Sequence, residues 1–253
     1  MFKTILFSLF TMYAASALAQ SAQEIVAAAD KVRNAEQPSR STLTLTEYVS
    51  GQERSHSAFV LFSKEDGAGN FRNLLQYVEP PRDAGKRVLL DGRSYWFFDP
   101  ASQSSVRISA QQRLVGQAAI GDVLTVNLAV DYSATLLGTE SIDDAARQKR
   151  ICWHLELKAG TETAVYNRSE YWVEQGTFRP VKGKFYSDSG RLLKIIYYRN
   201  YIERLGAVRP AESVIIDAVD SALATIAVFN ESRFQEVPDA WFQRDYLPRL
   251  QIR

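Results

Sequence analysis

The chain has 253 residues, of which 46% are hydrophobic and 23% charged, and its formal net charge is +1. This balance excludes a disordered chain and the basic footprint that is typical of nucleic-acid binding. The single cysteine, Cys152, cannot form an internal disulfide, so a disulfide framework is excluded as well.

The N-terminus has the three parts of a secretory signal peptide. Lys3 provides a positive start, an apolar run follows, and a small-residue cleavage pattern ends at Ala19. Gln20 follows the predicted cut, and no cysteine lies near it to carry a lipid anchor. We therefore predict a cleaved signal peptide over residues 1–19 and one soluble domain over residues 20–253, in the periplasm or secreted.

Beyond the signal peptide, the hydrophobic pattern changes from a helical period to a period of two. Apolar residues at helical spacing predict one helix over residues 21–35. From residue 41 onward, apolar and polar residues alternate, a pattern typical of β-strands. The predicted strands cover residues 41–49, 56–64, 71–78, 88–90, 95–98, 132–137, 151–157, 164–173, 178–187 and 192–202, with two more within 213–229.

Residues 101–131 interrupt this alternation. Gly116 and Gly121 are mixed with apolar residues there, which predicts one or two short helices with loops. Residues 238–250 fit either a short helix or an extended strip. The whole pattern predicts a mainly β domain of about eleven antiparallel strands. From the residues alone, this domain is either a sandwich with a solid core or a barrel that holds one small ligand.

No catalytic motif is recognisable. A nucleophile elbow, a phosphate-binding loop and the common zinc motifs are all absent. Cys152 and His154 share one face of a predicted strand about 7 Å apart, but nothing marks them as a nucleophile and its base. We therefore predict that the protein is not an enzyme and has no cofactor or metal.

One hairpin carries a family resemblance. Residues 88–100 read VLLDGRSYWFFDP, which is a strand ending in Asp-Gly and then an aromatic strand ending in Asp-Pro. With the preceding strand, the glycine-containing segment 114–124 and later elements at residues 171–173 and 190–194, this hairpin resembles the outer-membrane lipoprotein carrier LolA and its relatives.

The resemblance implies a half-open antiparallel β-barrel of about eleven strands, with an N-terminal helix and a mid-chain helical lid. It implies that an apolar cavity binds acyl chains of a lipoprotein or lipid and that the protein carries them toward the outer membrane. An inner-membrane transporter and an outer-membrane acceptor are the implied partners, and nucleic acid is not. The alternatives are an envelope lipid or stress sensor, or an accessory adaptor of an inner-membrane lipid exporter.

Strand alternation and the resemblance together select candidate site residues. In each strand, the less polar face is predicted to line the cavity. The predicted cavity residues are Leu43, Leu45, Val60, Phe62, Trp96, Phe98, Trp153 and Leu155. The predicted lid residues are Leu114, Val115, Ile120 and Leu124. The resemblance further implies an arginine that ties the lid shut, for which Arg72 is the nearest match.

Overall fold

The computed structural model describes residues 20–250. The predicted signal peptide lies outside the described residues. The described chain is mainly β with few helices, and its strand pairs are antiparallel. None of its helices is long and apolar enough to cross a membrane.

Fifteen strands form between residues 39 and 234. They are β1 (Ser39–Val49), β2 (Gln52–Glu65), β3 (Phe71–Glu79), β4 (Arg87–Leu90), β5 (Tyr95–Asp99), β6 (Ser104–Ile108), β7 (Arg113–Val115), β8 (Ala118–Ala119), β9 (Tyr132–Asp143), β10 (Lys149–Ala159), β11 (Arg168–Glu174), β12 (Pro180–Tyr186), β13 (Leu192–Arg204), β14 (Ala207–Asp217) and β15 (Leu223–Phe234). The main sheet contains thirteen of them, more than the roughly eleven predicted, and β7 and β8 form a separate pair. Strand β6 was not predicted because its SSVRI sequence is largely exposed and shows no apolar face.

The order of the main sheet explains why part of the chain must cross it. The strands run β6-β5-β4-β3-β2-β1-β15-β14-β13-β12-β11-β10-β9, so β1 and β15 pair at the centre and β6 and β9 are the two edges. The edges do not pair, and the sheet is therefore open. Residues 109–131, called the inner segment below, connect one edge strand to the other. They include α2 (Ile120–Val123) and α3 (Leu128–Asp131) as well as the β7–β8 pair.

The predicted N-terminal helix is confirmed as α1 (Ala22–Arg33). Ser21 and Glu24 form a capping box at its start, in which the Ser21 N–H donates to Glu24 Oε2 at 2.8 Å. Ile25, Val26 and Ala29 are buried against the sheet. The helix and the inner segment occupy the same side of the sheet, which we call the inner face.

The opposite, outer face is covered over β2 to β5 by residues 237–250, the C-terminal segment. Two 3-10 helices, Asp239–Phe242 and Arg244–Arg249, form this segment. Its side chains Val237, Phe242, Leu247 and Leu250 are buried against outer-face residues. Arg87 donates to the carbonyl oxygens of Leu247 and Leu250, which fastens the end of the segment.

Candidate functional site

The inner face is a continuous apolar surface. It includes Leu43, Leu45 and Leu155, which are buried, and Trp153, which is partly buried beside them. These are four of the eight predicted cavity residues. Their strands, β1 and β10, alternate clearly between apolar and polar side chains, so sequence alone identified the inner side of each.

The inner segment covers this face. Its side chains Val115, Ile120 and Leu124 are buried in the same cluster as Leu43 and Leu155, and Leu114 is partly buried against it. These are the four predicted lid residues, and the structure brings all of them together. The segment is not entirely helical, because it also contains the β7–β8 pair, and its two helices have four residues each.

Two glycines allow the inner segment to pack closely, Gly116 against the sheet and Gly121 against the loop between β10 and β11. Gly116 has a positive φ of 51°, and a Cβ there would collide with Thr225 and Glu47. A Cβ on Gly121 would lie 2.5 Å from Cγ1 of Val165. These glycines are therefore needed for the closed position of the segment.

Asn73 of β3 holds the middle of the inner segment. Its Nδ2 donates to the carbonyl oxygen of Thr125 at 2.8 Å, and its Oδ1 accepts from the Thr125 N–H at 3.2 Å. Ser63 donates to the same Oδ1 at 2.6 Å, and its hydroxyl lies 2.8 Å from Thr125 Oγ1. Asn73 is fully buried. The inner segment is thus attached to β2 and β3 by side-chain hydrogen bonds.

A buried ion pair attaches the segment to the other half of the sheet. Asp122 of α2 accepts from Lys194 Nζ of β13 at 2.7 Å, and its carboxylate also accepts from the Tyr166 hydroxyl at 2.7 Å. Lys194 also donates to the carbonyl oxygen of Gln117 at 2.8 Å. Burial, followed by the charge of Asp122, raises the pKa of Tyr166, so its hydroxyl remains a hydrogen-bond donor.

Helix α1 holds the end of the segment through Asp30 and Arg33. Asp30 Oδ2 accepts from the Ala129 N–H at 2.8 Å, and Arg33 Nη2 donates to the carbonyl oxygen of Val126 at 2.9 Å. The two side chains are also paired at 3.1 Å. Burial is the main cause that raises the pKa of Asp30 to about 6, against the lowering effect of Arg33.

Arg72, the predicted latch, does not contact the inner segment. It lies on the outer face, where Nη2 donates to Asp239 at 3.0 Å and its guanidinium lies 5.3 Å from the ring centre of Phe242. Arg72 therefore fastens the C-terminal segment. Its neighbour Asn73 points to the inner face instead, because adjacent residues in a strand point to opposite faces.

The other four predicted cavity residues also lie on the outer face. Val60, Phe62 and Phe98 are buried there, and Trp96 is partly buried beside them. Phe62 packs edge-to-face against Trp241 of the C-terminal segment, with ring centres 5.1 Å apart. Strands β2 to β5 are apolar on both faces because both are covered, so the polarity of neighbouring residues selected the wrong side.

Sequence reasoning missed the polar residues that hold the segment. Asp30, Asn73 and Asp122 each stand at an inward position among apolar neighbours. A polar side chain on an apolar face is a signal in itself, because burial requires it to find a partner.

Cys152 and His154 do not form a catalytic pair. The imidazole of His154 contacts Glu140 through Nδ1 at 3.1 Å and Glu170 through Nε2 at 3.2 Å, and it stacks on Trp172. Burial raises the pKa of the Cys152 thiol to about 12. Within residues 20–250, no three His, Cys, Asp or Glu side chains converge to hold a metal ion.

Two small hollows remain between α1, the inner segment and the sheet. One has a volume of about 80 Å³, and Arg33, Leu61, Leu124, Arg204 and Phe229 are among its lining residues. The other has a volume of about 280 Å³ and lies near Asp30, Phe71 and Val130. Pockets that hold drug-sized ligands measure about 300–1,000 Å³. In this arrangement, the chain's own apolar side chains fill most of the space that the sequence analysis assigned to a ligand.

Comparisons with known proteins agree with this architecture. A family model described only as an uncharacterized protein matches residues 69–249. The structure is similar to that of a LolA superfamily protein from Nitrosomonas europaea, with 32% identity, a TM-score of 0.80, and coverage of 90% of this chain and 100% of the other. The search of curated proteins found no match.

Two further solved structures share the fold at lower identity. A putative outer membrane lipoprotein-sorting protein domain from Vibrio parahaemolyticus is 20% identical, with a TM-score of 0.74 and coverage of 90% of this chain and 98% of its own. A DUF1329 family protein from Desulfovibrio piger is 19% identical, with a TM-score of 0.75 and coverage of 89% and 97%.

Proposed function

Because the chain belongs to the LolA superfamily, we propose that it is a periplasmic carrier that takes up the acyl chains of a lipoprotein or lipid on its inner face. In this proposal the inner segment is the lid, and the carrier passes its cargo toward the outer membrane. The observation that carries the proposal is a continuous apolar face covered by a segment whose strands pair only with each other and not with the main sheet.

The energetics of exchange favour such a role. An acyl chain gains about 0.8 kcal/mol for each methylene that it buries, so a dozen methylenes contribute roughly 10 kcal/mol. Exposing a buried Ile, Leu or Val side chain costs about 1.5–3 kcal/mol, and Ile120, Leu124 and Leu128 are such side chains of the lid. The gain and the cost are of similar size. Cargo can therefore displace the lid, and the lid can displace the cargo again.

The attachments of the lid suit this exchange. It is held by Asn73, by the Asp122–Lys194 pair and by the Asp30–Arg33 pair, which are separate polar contacts at different points along it. Releasing the lid therefore breaks side-chain contacts and leaves the hydrogen bonds of the thirteen-stranded sheet in place. Lid opening of this kind is the usual way in which a buried site is exposed and closed again.

A reversible disulfide tests the proposal. The hydroxyls of Ser63 and Thr125 lie 2.8 Å apart, so the double variant Ser63→Cys/Thr125→Cys, built with Cys152→Ser, should form a disulfide between β2 and the lid. Uptake of a diacyl lipid from mixed micelles would be measured by native mass spectrometry. We expect no uptake in the oxidised protein and full uptake after reduction.

The reduced form of the same variant is the matched control, because only the cross-link differs. Uptake that is equal in the oxidised and reduced forms would place the cargo elsewhere than under the lid. If neither the reduced variant nor the wild-type protein takes up lipid, the carrier function itself is wrong.

A further inference from the structure

Arg204 is a partly buried cation without a carboxylate partner. It ends β13, donates to Ser232 Oγ at 2.9 Å and to the carbonyl oxygen of Pro210 at 3.2 Å, and lies 4.5 Å from the ring centre of Phe229. Its Nε is buried and has no hydrogen-bond partner. Among the described residues, no Asp or Glu forms an ion pair with it. Burial and, to a smaller extent, the charge of nearby Arg209 together lower the pKa of its guanidinium to about 10.

Arg209, the neighbouring arginine, has a structural role that Arg204 lacks. Its Nη1 donates to the carbonyl oxygens of Lys31, Val32 and Asn34. These are the unpaired carbonyls at the C-terminal end of α1, where a positive charge also interacts favourably with the helix dipole. Among the described residues, no helix end lies against Arg204 in the same way. The fold therefore explains why Arg209 is present but does not explain why Arg204 is.

The 80 Å³ hollow on the inner side is lined by both Arg204 and Arg33. The Nε of Arg33 is also buried without a partner. The hydroxyl-bearing residues Ser39, Ser41 and Ser213 line the same hollow. Asp122 also lines it, but Lys194 and Tyr166 already bind its carboxylate. The lining is therefore rich in hydrogen-bond donors and has one cation that no carboxylate neutralises.

The size of the hollow matches a small anion. One water needs about 10–15 Å³ of such volume, so 80 Å³ holds several waters, which is the scale of a tetrahedral oxyanion. Guanidinium groups bind phosphate oxygens through parallel N–H donors, and they do so most strongly where water is excluded. A bound oxyanion would supply the negatively charged partner that Arg204 lacks. It would also supply hydrogen-bond acceptors for the Nε–H groups of Arg33 and Arg204.

We propose that the hollow beside Arg204 and Arg33 is a binding site for a phosphate-type oxyanion, and that it receives the headgroup of an anionic lipid whose acyl chains lie under the lid. The second half of this inference rests on the proposed carrier function. Leu61, Leu124 and Phe229 line the hollow on its apolar side. A headgroup held here would therefore have its acyl chains beside the inner face.

The test compares two lipids with identical acyl chains, phosphatidylglycerol and diacylglycerol, by native mass spectrometry after uptake from micelles. Inorganic phosphate is titrated separately against the rise in Tm, at constant ionic strength with chloride as the reference. We expect the wild-type protein to prefer phosphatidylglycerol at least tenfold and to be stabilised by phosphate. Arg204→Met should abolish both effects while diacylglycerol uptake stays within twofold of the wild-type level.

Arg199→Gln is the matched control, because it removes one positive charge from the same strand at an exposed position paired with Glu212. It should retain the preference. Arg204→Lys keeps the charge without the planar donor group, and we expect it to keep only part of the preference. If Arg204→Met does not fold, the oxyanion site is tested by the lipid preference of Arg204→Lys and by the rise in Tm of the wild-type protein with phosphate.

The outcomes separate this inference from the carrier function. Phosphate binding that depends on Arg204, without lipid uptake, would support the oxyanion site with free phosphate as its ligand and reject the carrier. Equal uptake of both lipids, with no effect of phosphate and none of Arg204→Met, would overturn the oxyanion site and leave the carrier standing.

Discussion

Asn73 binds both backbone groups of Thr125, because its Nδ2 donates to the Thr125 carbonyl at 2.8 Å and its Oδ1 accepts from the Thr125 N–H at 3.2 Å. One side chain of β3 thus takes the place of a β-strand partner for the lid. The asparagine amide suits this geometry because it offers donors and an acceptor side by side on one planar group without changing its protonation.

Replacing this amide should loosen the lid. Asn73→Leu keeps the approximate volume but leaves the N–H and carbonyl of Thr125 without partners, which costs about 1–3 kcal/mol for each buried group. We expect faster hydrogen exchange at Thr125 and its neighbours and a lower free energy of unfolding. Asn230→Leu, at an exposed asparagine bonded to Thr44, is the control and should change stability by about 0.5 kcal/mol or less. Unchanged exchange at Thr125 would show that Asn73 does not hold the lid.

A larger residue at Gly121 should prevent full closure. Gly121→Ala places a Cβ against the Val165 side chain, and such overpacking costs about 1–3 kcal/mol. The double variant Gly121→Ala/Val165→Ala removes the obstructing methyls and should recover part of the stability. Gly160→Ala is a suitable control, because a Cβ there meets its nearest atom at 3.5 Å. The Tm of all three variants is measured by thermal unfolding. If Gly121→Ala is as stable as Gly160→Ala, the close approach of Gly121 to Val165 is contradicted.

Asp30 should make stability depend on pH. Its pKa of about 6 in the folded protein, raised chiefly by burial, exceeds its ordinary value of 3.8. The stability that follows from protonating Asp30 is therefore fully present below about pH 4 and is lost as the pH rises through 6. Asp30→Asn cannot titrate. We expect the free energy of unfolding of the wild-type protein, relative to this variant, to be about 1 kcal/mol greater at pH 5 than at pH 7.

The difference between the two proteins is the useful quantity, because the remaining carboxylates titrate alike in both. Arg33 and Asp131 are the charged groups that act on Asp30, and both are retained in the variant. Denaturant unfolding at five pH values between 4 and 7 would measure the difference. A difference that does not vary with pH would mean that Asp30 titrates at its ordinary value.

The C-terminal segment should contribute to stability but not to lipid uptake. Leu247 is fully buried against the outer face, so Leu247→Ala should lower the free energy of unfolding by about 2–5 kcal/mol. Lipid uptake for each folded molecule should not change, since the segment and the lid lie on opposite faces. Leu124→Ala in the lid is the comparison. A selective loss of uptake in Leu247→Ala would assign the outer face a part in binding.

Much of the fold could be predicted because its local patterns are clear. The helix over residues 21–35, the hairpin at residues 88–100 and the alternation in β1 and β10 all follow from the period of the apolar residues. The same reasoning failed for Val60, Phe62, Trp96 and Phe98, where apolar residues occupy both faces. Alternation shows which residues share a face, but it cannot show which face is the inner one when both are covered.

By itself, the sequence determined where strands and the first helix form, because backbone preference and apolar periodicity act between residues close in the chain. Only the tertiary structure decided that the inner segment covers the inner face and that Asn73, not Arg72, holds it. The physical reason is topological. With β1 beside β15 at the centre of the sheet, the chain must travel from the β6 edge to the β9 edge, and it does so across the inner face.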